Sequence, residues 1–274
     1  MSDVELSAQA VRRTSELADG LRVALAALSK SAVAAMLLLW TEVDKPTSTW
    51  NGQSWLGPAA QVIDFFRRRA SVLTIDYTQA IREVQLGERL PQDVLVVADP
   101  LPAIQLQRSL GFLTADAARL VRDPDLPLLE RRADERAQVL LAGKTTRFVT
   151  DASRDVTRQA VRKDPAAVGW QRYTDNDPCY FCAMLAGRGP VYGSESKATE
   201  IGGVKGNPFH DHCGCIALPV YSRKAPWPEE SAAYARLWRS STKGYSGAAA
   251  RNAFRSALEQ AKRDAAQAAS ANQN

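Results

Sequence analysis

The chain has 274 residues, 45% hydrophobic and 24% charged, and a net charge of +5, enough apolar material to bury a proper core in two lobes. Its most apolar stretch, Leu21 to Trp40, is broken by Arg22, Ser29, Lys30 and Ser31, and the uninterrupted run that remains, Ala32 to Trp40, is too short to span a bilayer and reads as a buried helix face. Nothing at the N-terminus has the basic region, apolar core and small-residue cleavage site of a secretory signal, so an oxidising compartment is not expected.

Ser2-Asp3-Val4-Glu5 reads as a capping box. Leu17, Leu21, Ala24, Leu28, Ala32, Ala35 and Leu39 then recur at spacings of three and four, which predicts a helix from about Asp3 to Trp40. Thr41 to Pro58, rich in Trp, Ser, Gly and Pro, breaks it. A second stripe, Val62, Phe66, Ala70, Leu73, Tyr77, Ile81 and Val84, predicts a helix from Pro58 to about Gly87, with Pro58 suited to a first turn. Pro91, Pro100 and Pro102 punctuate a loop, and shorter helices over Leu101 to Arg122 end at Asp123-Pro124-Asp125. A third long pattern, through Leu129, Ala137, Leu140, Phe148, Ala152, Val156 and Ala160, is helical to about Arg162, with a kink expected at Gly143. These stripes read as core, and the helices as scaffold.

After Asp164-Pro165 the pattern changes. Trp170 to Tyr173, Pro190 to Tyr192 and Cys215 to Tyr221 read as strands, with a short helical run over Ala183 to Ala186 and loops at Gly187-Arg-Gly189 and Gly202 to Gly206. So small a lobe has little apolar material of its own and needs a staple. All four cysteines and both histidines of the protein lie here, in Cys179-Tyr-Phe-Cys182 and His210-Asp-His212-Cys213-Gly-Cys215. Such a cluster is what a structural zinc site requires, because tetrahedral Zn²⁺ takes four Cys or His ligands. Two disulfides would use the same cysteines in an oxidising setting. A thioredoxin-like redox pair would use Cys179 and Cys182 but leaves the second cluster unexplained.

The order of elements from Trp170 to Tyr221 resembles the C-terminal domain of the phage Mu F-like minor head proteins, especially those of tailed actinobacteriophages. The residues that carry the likeness are Asp177-Pro-Cys179-x-x-Cys182, Met184-Leu-Ala186, Gly189-Pro-Val-Tyr192, the glycine-rich loop and Phe209-His210-x-x-Cys213-x-Cys215. The family commonly has Asn and Arg within the second motif, where this chain has a second His and a Gly. The resemblance implies a mainly α-helical body with a small zinc-stapled α+β lobe. It also implies a virion protein made in the host cytoplasm and placed inside the capsid near the portal, acting in head morphogenesis, DNA packaging or ejection. Its matching positions are Cys179, Cys182, His210, Cys213 and Cys215. Cys179, Cys182 and Cys215 are the expected ligands, and the fourth is Cys213 or one of the histidines. A histidine left over is expected to be a hydrogen-bonded structural residue.

Enzyme chemistries fit poorly. A zinc deaminase needs a His-x-Glu upstream of its Cys-x-x-Cys, and no histidine precedes Cys179. A Ser-His-Asp hydrolase needs an unligated imidazole. Phosphate-loop glycines lack the rest of their motif. A zinc-containing nuclease and a stand-alone nucleic-acid-binding zinc module remain as alternatives to a structural protein, with Asp175, Asp177 and Asp211 the nearest acids.

From Ser222 onward nine Lys or Arg face four acids, so this segment carries the whole +5 and residues 1–221 sum to zero. A basic helical tail with Arg236, Arg239, Arg251, Arg255, Lys262 and Arg263, interleaved with Trp227, Tyr234, Trp238, Tyr245 and Phe254, is suited to neutralise phosphates of double-stranded DNA and stack on bases. The plainer reading is a solvated helix whose aromatics pack on the body. The expected organisation is a long-helix body over residues 1–165, the zinc-stapled lobe over 166–221 and the basic tail over 222–274. The expected partners are portal and other head proteins, and no membrane.

Overall fold

The structure, a computed structural model, describes residues 6–42, 55–120, 126–175, 177–189, 211–222, 224–225 and 227–271, without the side chains of 112–120 and 126–133. It is mainly helical with a small two-stranded sheet. Helix α1 spans Ala8–Thr41, α2 Leu56–Leu86, α3 Ala103–Leu120 and α4 Leu126–Lys163. Strand β1 (Gly169–Tyr173) and helix α5 (Tyr180–Ala186) precede strand β2 (Ile216–Val220), and α6 (Glu229–Ser241) and α7 (Gly247–Ala271) follow. The expected strand at Pro190 to Tyr192, the Gly202 to Gly206 loop and the capping box at Ser2 lie outside the described residues.

Helix α1 starts later than its pattern predicts, because Ser7 takes the N-cap and accepts from Ala10 N at 3.1 Å. Its buried residues, Ala18, Leu21, Leu25, Ser29, Ala32, Met36 and Trp40, lie along one face, with Leu17, Leu28 and Leu39 flanking it. By length and composition alone α1 is able to cross a membrane, since its mean hydropathy reaches 1.9 over a window only 28% buried. Counting uninterrupted apolar residues misses this, because Arg22 and Lys30 are isolated interruptions. Here α1 forms one wall of a bundle with α2 and α4. Trp40 meets Trp55 edge-on at 5.4 Å and donates to Asp134 at 2.9 Å, which ties the end of α1 to α4.

Helix α2 begins two residues before Pro58 and ends on Gly87, whose φ of 81° supplies the left-handed cap. Its buried surface is wider than the expected stripe and partly polar: Arg67, Ser71, Thr74, Thr78, Gln79 and Arg82 join Ala59, Ile63, Ala70 and Ile81. A helix caught between α1 and α4 buries two sides, and most of these polar groups find partners there. Arg67 donates to Phe148 O (2.8 Å), Thr74 Oγ1 bonds Ser153 Oγ (2.8 Å), and Gln79 bonds both backbone groups of Leu90. Between Leu101 and Arg122 there is one 18-residue helix rather than several.

Strands β1 and β2 pair antiparallel, from Gly169 opposite Val220 to Tyr173 opposite Ile216. Pro219 is tolerated because each strand of a two-stranded sheet has an open edge that needs no N–H. Ile216 and Leu218, with Tyr221 just beyond the strand, enter the core formed by Ala18, Leu21, Leu25, Ala70, Ile81, Val149 and Ala152. Ala217 packs with Trp170 in a separate small cluster. Strand β2 and Tyr173 of β1 thus share a core with the helical bundle. Helices α6 and α7 cover α5 through Ala183, Met184, Phe254 and Leu258, flanked by Tyr234, Leu237 and Trp238.

Candidate metal centre

Antiparallel pairing of Tyr173 with Ile216 sets the chain leaving β1 beside the chain entering β2. This brings the 179–182 turn against 213–215. Cys179 is the N-cap of α5, and its Sγ accepts from Cys182 N at 3.4 Å. The Sγ atoms of Cys182, Cys213 and Cys215 lie within 4.8 Å of one another, at 1, 2 and 1% exposure. Cys182 and Cys213 are 3.4 Å apart, no disulfide joins any of the four, and Cys179 packs against the other three.

Sulfurs around a tetrahedral Zn²⁺ with bonds of about 2.3 Å stand roughly 3.8 Å apart. The three buried cysteines are therefore close enough to hold a metal ion and are compatible with zinc. Within the cluster Cys213 is the thiol pushed down. Hydrogen bonds from the Cys182 and Cys215 thiols push it down, outweighing burial and aided by Arg154 and Arg172. Cys182 is pushed up by its hydrogen bonds with Cys179, Cys213 and Cys215 and by burial. Cys215 is also pushed up: its hydrogen bond with Cys182 opposes the shift, but the bond to Cys213 and burial outweigh it. A soft cation would replace the protons these thiols share.

Both arginines were invisible as site residues in the sequence. Arg172, within buried β1, donates from Nη1 to Cys182 Sγ at 3.3 Å. Arg154, on α4, donates from Nη2 to Cys213 O (3.1 Å) and Cys215 O (2.9 Å), and its Nη1 pairs with Asp151 at 2.7 Å. Arg172 sits in Gly-Trp-Gln-Arg-Tyr, where a polar neighbour hides its role, and nothing local marks Arg154. Asp175 accepts from Gly214 N at 3.2 Å and is pushed up first by burial and then by Cys213.

Of the two histidines, His210 lies outside the described residues. His212 adopts φ 64°, a left-handed turn, and its imidazole lies against Gly143, within the continuous helix α4. Asp211 pairs with Lys144 (2.8 Å) and Arg147 (3.5 Å), so α4 holds both Asp211 and His212 along one side. His212 does not belong to the thiol group found among the described residues.

The basic residues of the tail are divided. Lys262 is committed to docking, with Nζ on Asp177 Oδ1 (2.6 Å) and Pro178 O (2.8 Å). Arg255 lies over the Tyr180 ring at 5.3 Å, and Arg263 donates to Gln260. Arg236, Arg239, Arg255 and Arg263 are exposed, and Arg251 is half-buried. Phe254 is buried, Trp238 packs on it at 5.3 Å, and Tyr245 alone of the described aromatics in the segment is more than half exposed, at 59%.

The chain matches the family described as VG15 protein over residues 12–241, most of its length, and it belongs to that family. This is a viral gene-product family, and membership points to a bacteriophage protein associated with the virion. Searches of curated proteins and of solved structures gave no significant match.

Proposed function

We propose that this chain is a minor head protein of a tailed phage, structural rather than enzymatic, seated inside the capsid at the portal and in contact with packaged DNA. In this reading the cysteine cluster holds one structural zinc ion through Cys179, Cys182, Cys213 and Cys215, which staples the 179–182 turn to β2 and to α4. The observation that carries it is closure. Cys182, Cys213 and Cys215 are at most 2% exposed and lie against Arg154 and Arg172, whereas a catalytic zinc keeps an open position for water or substrate. Membership of a viral family supports a virion component, and the order of motifs around these cysteines, which resembles that of the Mu F-like proteins, supports the head reading. The exposed Arg236, Arg239, Arg255 and Arg263 face outward from α6 and α7, where phosphates can reach them.

The reading predicts co-purification with the portal protein when the two are expressed together. It also predicts presence in DNA-filled heads at far fewer copies than the major capsid protein. Quantitative proteomics of purified heads that finds none of this chain, while it stays soluble in the infected host, overturns the head-protein reading.

A further inference from the structure

Arginine is almost never fully buried unless it is paired, yet Arg154 and Arg172 are 2 and 1% exposed and rank among the largest fully buried side chains of the protein. Both end at the cysteine cluster. Arg172 reaches a sulfur directly, at 3.3 Å from Cys182 Sγ. Arg154 clamps the carbonyls of Cys213 and Cys215, fixing the backbone on either side of Gly214, and its second arm rests on the more exposed Asp151.

Four thiolates around a divalent ion leave a net charge of about −2, and burying that charge without compensation is costly. We infer that Arg172, with Arg154, is a positioning residue of the metal centre: its guanidinium donates to the Cys182 thiolate in the loaded site, and the two arginines offset the charge of the buried thiolate set. The inference rests on the metal reading above. It gives the two residues distinct tasks. Arg172 tunes one ligand sulfur by a charge-assisted hydrogen bond, drawing electron density from it and lowering its reactivity. Arg154 sets the spacing of the Cys213 and Cys215 sulfurs through their main chain and ties them to α4.

The test uses the full chain, reduced, stripped of metal and titrated with cobalt(II), whose sulfur-to-metal charge-transfer band reports the thiolates. Arg172→Met is expected to weaken cobalt binding by about 10- to 100-fold in competition with a chelator, the range typical of outer-shell partners of metal ligands. It is also expected to move the charge-transfer band to lower energy, as the sulfur becomes more electron-rich, and to speed alkylation of the loaded protein. Arg172→Lys is expected to recover part of the affinity. An Arg172→Met protein with wild-type helicity, affinity and band position overturns the inference. Where that variant does not fold, Arg172→Gln, which drops the charge and keeps an amide donor, carries the same comparison: affinity at least tenfold below wild type upholds the inference, and unchanged affinity and band overturn it. Failure of the wild-type chain to bind cobalt overturns the metal reading itself, so the two failures are distinguishable.

Discussion

The His212 imidazole lies so close over Gly143 that a Cβ built on the glycine would stand 2.4 Å from Nε2 and 2.7 Å from Cδ2. A residue that looks like a flaw in a long helix is the slot that receives His212 of the second motif. Two effects oppose each other in Gly143→Ala. Helix propensity favours alanine by about 1 kcal/mol. The added methyl pushes the exposed His212 imidazole off α4, a cost that opposes the propensity gain. Gly143→Ala is therefore expected to gain less stability in urea titrations than a glycine whose new methyl meets only ordinary contacts. Gly111→Ala, on α3, is the control, since its nearest neighbour would be Gln107 Cγ at 3.7 Å, and it should be stabilising.

Arg82 and Asp164 form a buried pair at 2.9 Å, with side chains 8 and 0% exposed, and Asp164 also accepts from Ala166 N at 3.0 Å where α4 gives way to β1. Asp164→Ala leaves the guanidinium buried without its carboxylate and is expected to cost about 3 to 5 kcal/mol. Replacing both partners, as Arg82→Met with Asp164→Leu, should recover much of that loss in the same denaturation assay.

Alkaline pH should weaken the fold through two tyrosines. Burial, helped by the Asp19 carboxylate, pushes the Tyr173 hydroxyl up to about 12, and burial beside Asp164 also raises Tyr221. Both phenols are neutral in the folded chain at neutral pH, while in the unfolded chain they ionise near the ordinary value of about 10. Their contribution is therefore intact below about pH 10 and is lost as pH rises from there, because the unfolded state gives up its protons first. Between about pH 10 and 12 Tyr173 alone should account for about 3 kcal/mol, and Tyr173→Phe should flatten that part of the stability profile.

Elemental analysis of the reduced protein is expected to give about one zinc per chain, the stoichiometry of a single four-ligand site. Because β2 contributes Ile216 and Leu218 to the same core as α1, α2 and α4, chelation should lower the melting temperature of the whole bundle. The far-ultraviolet and near-ultraviolet transitions should move together. A chelated protein whose β1–β2 region melts while the helices keep their original transition counts against this coupling.

For DNA, glutamine replacements at Arg236, Arg239, Arg255 and Arg263 test the exposed cations without disturbing Phe254 or Leu258. If these arginines neutralise phosphates, wild-type binding is independent of sequence and falls with salt at a log-log slope of about −0.9 for each contact. The fourfold variant should lose that dependence. Equal binding by the variant returns the segment to a solvated helix pair packed on α5.

The long helices were readable because their apolar residues repeat at three and four, and their ends were misjudged mainly where a cap such as Ser7 decides. The polar half of the buried face of α2 was not readable, because Ser153 and Phe148, which give Thr74 and Arg67 their partners, lie far along the chain on α4. The convergence of the cysteines was legible for the opposite reason: each pair is local, and only one strand pairing is needed to join them. What the local pattern lacks is everything α4 supplies, the Gly143 slot for His212 and the Arg154 clamp on Cys213 and Cys215. In the tail, aromatic and basic residues alternate in a way that fits stacking, but Phe254, Trp238 and Tyr234 are spent on packing against α5.

The placement of Phe254 and Leu258 over Ala183 and Met184 also sets an order of events during synthesis. Cys215 leaves the ribosome 39 residues before Phe254, counting from 215 to 254. At about 5 to 20 residues per second that interval lasts roughly 2 to 8 s. The four sulfurs are then all present while the helices that cover α5 have yet to form. If the cysteines hold an ion, it can bind in that interval, before α6 and α7 fix α5 in place. Metal supply during translation would then bear on how α5 is set when its covering helices arrive.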